Sequence, residues 1–219
     1  MFKTRWIKRG EKTSSNQQGI LFKANLSDIF DIDYPLVELE YIDIRLYEDS
    51  GKVADHDLNF LIEGNFPSKY LLSSNPTQHT KGSLDNGDLR NVYQFIGKSS
   101  NLPIRAGLTV HCGKGGWSST PHEFEKEYIL SPAPMSFWEQ FGYFTNPRGG
   151  WGIQIRTGHI FDRYIDEYEF INDVVVIKDR DIRDIPLGSH PVSAGVGYQM
   201  AYFWVYSCQY MDMMEKFDK

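Results

Sequence analysis

Three short stretches of this chain carry side chains that could do chemistry. The first is Gly115-Gly116-Trp117-Ser118-Ser119-Thr120-Pro121-His122-Glu123-Phe124-Glu125, where a glycine turn delivers an aromatic ring, three hydroxyls and then an imidazole flanked by carboxylates. On a strand, successive side chains alternate between faces, so His122 and Phe124 share one side and Glu123 and Glu125 the other. Either a lone imidazole or a carboxylate pair then faces any one site, unless a bulge mixes the two. The second stretch is Phe137-Trp138-Glu139-Gln140-Phe141. Burying Glu139 in so apolar a strand is costly unless something positive, such as a metal ion, meets it. The third is Gly188-Ser189-His190-Pro191-Val192, a histidine at a glycine-led turn. Two imidazoles and a carboxylate are a donor set for a divalent metal. Plainer readings stand beside this one. A histidine next to proline is ordinarily hydrogen-bonded within its turn, Glu139 could face solvent from an edge strand, and Glu123, Glu125 and Glu127 with Lys126 form a solvated charged face. His56, His79, His111 and His159 lack supporting context and read as structural, and the tryptophans Trp117, Trp138 and Trp151 as core. On spacing alone the signal falls well short of paired Cys-x-x-Cys motifs.

The elements that must position these groups are strands. Glu38–Tyr47 alternates with period two, as a half-buried strand does. Turn signals recur at Asp49-Ser50-Gly51, Asn75-Pro76, Asn86-Gly87, Gly113–Gly116, Asn146–Gly150, Gly188 and Gly195–Gly197. Between them lie β-rich runs at Val92–Ile96, Leu108–His111, Phe141–Phe144, Gly152–Arg156, Val174–Ile177 and Met200–Tyr206. Short strands with regular turns and no amphipathic helix predict an all-β sandwich or barrel. The texture changes near Asn86-Gly87, polar and turn-rich before, denser in glycine and aromatics after. Asn75–Asp88 reads as a long exposed loop. Only Gln209–Lys219 has helix-forming composition.

Composition narrows the function. The chain has 219 residues, 41% hydrophobic and 24% charged, which is the make-up of a folded globular protein. Its net charge of -6 argues against general nucleic-acid binding, which needs a basic surface. Two cysteines are too few for a disulfide framework or a cysteine-rich zinc site. No stretch is long and apolar enough to cross a bilayer, and the basic start lacks the apolar segment of a signal peptide. The expectation is a cytoplasmic protein with no nucleic-acid or membrane partner. Aromatics at 15% suit pleated strands and sugar-facing pockets.

From Arg90-Asn91-Val92 to Tyr206 the sequence resembles the second cupin barrel of the family containing 5-keto-4-deoxyuronate isomerase and 5-deoxy-glucuronate isomerase. The residues carrying the resemblance are Gly116-Trp117-Ser118-Ser119 with Pro121, then Glu139 ahead of an aromatic strand. Asn146-Pro147, Gly150-Trp151 and Gln154 follow, and last Gly188-Ser189-His190-Pro191-Val192 running into Gly197-Tyr198 and Tyr202-Phe203. The resemblance implies a cupin-type double-stranded β-helix, a jelly-roll barrel at 88–208, with a truncated barrel or strand extension at 1–87 and a tail at 209–219. Such strands would also build a dimer interface, making the protein a homo-oligomer.

In that family the barrel holds a divalent metal on a His-x-His pair, a glutamate and a later histidine. By position Glu139 corresponds to the glutamate and His190 to the last histidine. The His-x-His is replaced by His122-Glu123-Phe124, so either His122 stays and Phe124 removes a ligand, or Glu123 and Glu125 take both places, or a bend brings Glu125 beside His122. The preferred set is His122, Glu125, Glu139 and His190, which suits Zn, Mn, Fe or Ni without naming one. The implied function is an aldose–ketose isomerisation of a sugar or uronate by proton transfer through an enediolate. Glu125, if not a ligand, would be the base, with Tyr143 and Tyr198 as acids. Arg90 and Arg156 would hold a substrate carboxylate, Gln154 faces the same side as Arg156, and Trp117 or Trp151 would stack on the sugar. For Arg156 a surface ion pair is an equal reading. Two other classes compete: a non-catalytic carbohydrate-binding cupin that has lost a ligand, and an Fe(II) oxygenase.

Overall fold

The computed structural model describes residues 3–8, 11, 18–30, 41–46, 57–64, 77–97, 104–118, 137–162 and 167–208. Four N-terminal strands, β1 (Lys3–Trp6), β2 (Gln18–Ala24), β3 (Tyr41–Leu46) and β4 (Leu58–Glu63), make an antiparallel sheet in the order β1-β4-β2-β3. A single helical turn, α1 (Leu26–Ile29), follows β2. Next in the chain come β5 (Thr77–Lys81), β6 (Arg90–Ile96), β7 (Ile104–His111), β8 (Trp117–Ser118), β9 (Phe137–Asn146) and β10 (Trp151–Asp162). The rest are β11 (Glu167–Lys178), β12 (Ile182–Asp184), β13 (Leu187–Ser189), β14 (Val192–Ala194) and β15 (Gln199–Cys208). These form a six-stranded sheet, β12-β9-β15-β7-β6-β5, and a five-stranded one, β11-β10-β14-β8 with β13 also on β10.

The six-stranded sheet is the middle of three layers, and this explains its sequence. One face meets the N-terminal sheet: Trp138, Phe144, Leu108, Ala201 and Phe203 pack with Ile20, Phe22, Phe60 and Ile62 in one core cluster. The other meets the five-stranded sheet, where Phe141, Tyr143, Met200 and Tyr202 pack with Ile177, Val192 and Ala194. A strand buried on both faces reads as a continuous apolar run instead of an alternating one, and every residue of β7 is buried. The two facing sheets are a jelly-roll sandwich; among the described residues they do not close into a continuous barrel. No helix among the described residues is long and apolar enough to cross a membrane.

Two sequence expectations change. The N-terminal region is not simply polar: Leu58, Phe60, Leu61 and Ile62 are fully buried, because β4 too is covered on both faces. Within Asn75–Asp88, Thr77–Lys81 is an edge strand on β6, every residue exposed, so its polar composition follows from its outermost place. The expected tail at 209–219 lies outside the described residues.

Candidate functional site

The inner face of the six-stranded sheet, turned toward the five-stranded one, holds the polar groups. Opposite residues of antiparallel strands point to the same side, so the register of β9, β15 and β7 reads as rows. Glu139, Tyr206 and Arg105 form one row, Phe141, Trp204 and Gly107 the next, and Tyr143, Tyr202 and Thr109 the third. Glu139 is 3% exposed and Arg105 1%. Gly107 is required by its neighbours: a Cβ there would sit 2.3 Å from the Trp204 ring and 2.2 Å from the Tyr93 carbonyl oxygen.

The five-stranded sheet supplies His190. Gly188 and Gly158 pair across β13 and β10 with φ of +154° and +156°. A Cβ on either would lie 2.3 Å from a backbone oxygen, so only glycine lets the chains approach this closely. The turn that follows buries His190 against the edge of the Phe141 ring, centroids 5.6 Å apart. His190 Nδ1 lies 3.0 Å from Gly188 O; a carbonyl only accepts, so Nδ1 carries the proton and Nε2 the lone pair. Gln154 holds this arrangement. Its Oε1 accepts from Tyr143 Oη at 2.6 Å, and its Nε2 donates to the His190 and Pro191 carbonyls at 2.7 and 3.0 Å. Burial, helped by the Tyr202 and Glu139 charges, pushes the Tyr143 phenol well above its ordinary range, so it keeps its proton.

A second network runs through His111, which sequence reasoning left as structural. Its Nδ1 faces Gly116 O at 2.9 Å and its Nε2 faces Ser118 Oγ at 3.1 Å, which in turn lies 2.9 Å from Tyr202 Oη. By the same donor logic the protons point from Tyr202 to Ser118 to His111, and Thr109 donates to Tyr202. Desolvation pulls the His111 pKa down to about 4, the Gly116 bond opposing and the Arg90 charge adding. With both ring nitrogens engaged, His111 is no substitute for a lost metal ligand. Arg105 was missed too; no spacing marks a lone arginine in an apolar strand, and only the register puts it in the row of Glu139, across Tyr206.

The other expected site residues are placed as follows. Tyr143, Gln154, Glu139 and His190 share the layer between the sheets. His122 and Glu125 lie outside the described residues. Trp117 and Trp151 are on the far face of the five-stranded sheet, 40% and 42% exposed; alternation turns Ser118 inward in place of Trp117. Both were also read as core, which their exposure overturns. Tyr198 precedes β15 and packs on Gly150. It sits eight residues from Tyr206, the partner of Glu139, a separation of roughly 25 Å along a strand. Arg156 forks onto Asp173 at 2.8 and 2.5 Å and donates to Asp184 O, which is the ion-pair reading of this residue. Arg90 is buried and donates to Asp88 O at 3.0 Å.

The model of the KduI/IolB family matches residues 58–218. The chain belongs to this family. It is similar to the 5-deoxy-glucuronate isomerase of Geobacillus kaustophilus (strain HTA426), 28% identical over 142 residues that cover 64% of this chain and 47% of that protein. The namesake from Geobacillus thermodenitrificans (strain NG80-2) is 27% identical over 141 residues, again 64% and 47%. The chain thus spans about half the length of the curated relatives it matches. Among solved structures, an IolB-like protein from Salmonella typhimurium LT2 superposes with a TM-score of 0.55 at 17% identity, covering 100% of this chain and 89% of that one. The fold is the all-β, cupin-type jelly roll that the sequence predicts.

The family resemblance implies a divalent metal, and two of the donors expected for it, Glu139 and His190, are among the described residues. Glu139 Oε2 and His190 Nε2 are buried and make no hydrogen bond, while both residues keep other interactions. The Nδ1 bond of His190 to a carbonyl is the support that metal-ligating histidines have. Among the described residues no three His, Cys, Asp or Glu side chains lie close enough to complete a site.

Proposed function

We propose that this protein is a metal-dependent isomerase of a sugar or uronate, interconverting aldose and ketose by proton transfer through an enediolate. What carries the reading is the burial of Glu139 and His190, from two facing sheets, in one tyrosine-lined layer of a KduI/IolB-family chain. The relatives' name, 5-deoxy-glucuronate isomerase, supports the substrate class.

His122, Glu125, Glu139 and His190 would hold the ion, and Zn, Mn, Fe or Ni each suit that set. When bound, it polarises the substrate carbonyl and stabilises the enediolate. Gln154 fixes the turn that presents His190 and aligns the Tyr143 hydroxyl. Tyr143 stays protonated at neutral pH and would donate a hydrogen bond to a substrate oxygen once that oxygen replaces Gln154 as acceptor. Glu125, where it is not a ligand, carries the proton between the two carbons. Of the two arginines, Arg90 is the better anchor for a uronate carboxylate: its charge reaches His111 and Tyr202, whereas the Arg156 fork is taken by Asp173. The Glu139–His190 layer itself keeps water from the reacting carbons.

The test is metal analysis of protein purified without chelator, followed by NMR of carbon-bound proton exchange with a panel of uronates and aldoses. Stoichiometric metal and exchange are expected in the wild type. Glu139→Gln and His190→Gln should lose the metal and slow exchange at least about 100-fold. Stoichiometric metal with no exchange on any sugar overturns the isomerase and leaves a binding cupin.

A further inference from the structure

Two tyrosines meet in the layer between the sheets, and their hydroxyls point their protons at different kinds of acceptor. Tyr143 and Tyr202 are partners across β9 and β15, with ring centroids 5.9 Å apart. The Tyr143 hydroxyl ends on the amide oxygen of Gln154, which accepts a hydrogen bond but is not basic enough to take the proton. The Tyr202 hydroxyl starts a chain that ends on an imidazole. Gly116 O fixes one proton on His111 Nδ1, so Nε2 accepts from Ser118 Oγ, and Ser118, its single proton spent, accepts from Tyr202 Oη. Tyr202 in turn accepts from Thr109. All four residues are buried, so the chain runs through a layer from which solvent is kept. Its head lies one ring from His190: Tyr202 stacks on Phe141 at 4.6 Å, and the Phe141 edge meets the His190 ring at 5.6 Å.

We propose that Tyr202, Ser118 and His111 are a proton relay that takes the hydroxyl proton of the substrate and returns it to the neighbouring oxygen. The proposal rests on the isomerase reading, in which a hydrogen must move between two adjacent oxygens while Glu125 handles the carbon-bound proton. Tyr143 holds one oxygen by a hydrogen bond, and Tyr202 exchanges the proton. The substrate O–H bond breaks, and its electron pair stays on that oxygen and becomes part of the new carbonyl. The proton joins the Tyr202 oxygen, the Tyr202 proton passes to Ser118 Oγ, and the Ser118 proton passes to His111 Nε2, giving an imidazolium. The same three transfers in reverse deliver a proton to the adjacent oxygen and restore the starting state. Burial and the Arg90 charge disfavour the imidazolium, so His111 holds the proton only in transit.

The experiment measures turnover of the uronate and aldose panel by NMR in the metal-loaded full chain, for the wild type, His111→Gln, Tyr202→Phe and the double variant. Glutamine keeps an acceptor for Ser118 and a donor for Gly116 O but offers no basic nitrogen, so it separates a relay from a merely structural network. Each single variant should lose about 100-fold or more in kcat, with KM changed by less than about 3-fold. The double variant should be no slower than Tyr202→Phe alone, because residues that act as a unit are not additive. A second readout needs no turnover: imidazole ¹⁵N NMR of the wild type at pH 7 should show His111 neutral, protonated on Nδ1 and hydrogen-bonded at Nε2. Near-wild-type kcat in His111→Gln, additive losses in the double variant, or a proton on Nε2 overturns the relay and leaves the isomerase standing. A wild type that turns over no sugar overturns both. Should His111→Gln fail to fold, Ser118→Ala combined with Tyr202→Phe makes the same test of additivity.

Discussion

His111 shows how a single carbonyl can set the direction of a hydrogen-bonded chain. Gly116 O obliges Nδ1 to carry the proton, so Ser118 must donate to Nε2 and Tyr202 to Ser118. The imidazole is held neutral, with a folded pKa of about 4 against an ordinary 6.5. Between those values the unfolded chain binds the extra proton, so stability is complete above about pH 6.5 and falls as pH drops toward 4, by about 3 kcal/mol in all. Urea denaturation at pH 7 and pH 4.5 should show this loss in the wild type, and His111→Gln should show markedly less of it. Gln154→Leu makes a separate test. It leaves the Tyr143 hydroxyl and the His190 carbonyl buried without their clamp, at a cost of about 1–3 kcal/mol. Metal affinity in that variant should fall about 10-fold or more, measured by competition with a chelator.

At the scale of elements, β9 is the informative strand. Trp138, Gly142 and Phe144 face the N-terminal sheet, whereas Glu139, Phe141 and Tyr143 face the five-stranded one. Gly142 lies against the Phe60 ring, which is stacked on Phe203 at 5.2 Å; an added Cβ would come within 2.4 Å of it. Gly107→Ala is the harsher change, since one obstacle is backbone. It should cost about 1–3 kcal/mol, at the upper end of overpacking effects, and thermal melting would register it. The Arg156–Asp173 pair should matter little, because Asp173 is partly exposed and its lowered pKa, from the Arg156 hydrogen bonds, belongs to a contact that water reaches. Asp173→Asn is expected to shift stability by under about 1 kcal/mol.

For the whole molecule, the order of layers decides what can be removed. The N-terminal sheet packs on the six-stranded one through a shared aromatic cluster, with Trp6 edge-on to Phe60 at 5.0 Å. Arg180 sits 4.8 Å over the Trp6 ring, and Arg148 bridges to Asp57 at 2.6 Å, tying the hairpin ends to the first sheet. A chain beginning at residue 77 would bare Leu108, Phe144 and Phe203 at once. It should aggregate, not fold as a separate barrel, and light scattering during refolding would show it.

The sequence by itself determined the β class, the run of strands from residue 90 to 206, and Glu139 and His190 as residues worth watching. Alternation, glycine turns and the cost of a carboxylate among aromatics are local signals. The tertiary structure decided the rest. Leu58–Ile62 became a core strand because one face meets the six-stranded sheet and Leu61 on the other packs with Ile7 and Leu21, and Trp117 and Trp151 turned outward because β8 and β10 alternate about Ser118 and Gln154. Arg105 joined the Glu139 row, and Tyr198 was removed from it, by cross-strand register alone. Register is set by pairing across long stretches of chain, and no window of neighbouring residues contains it.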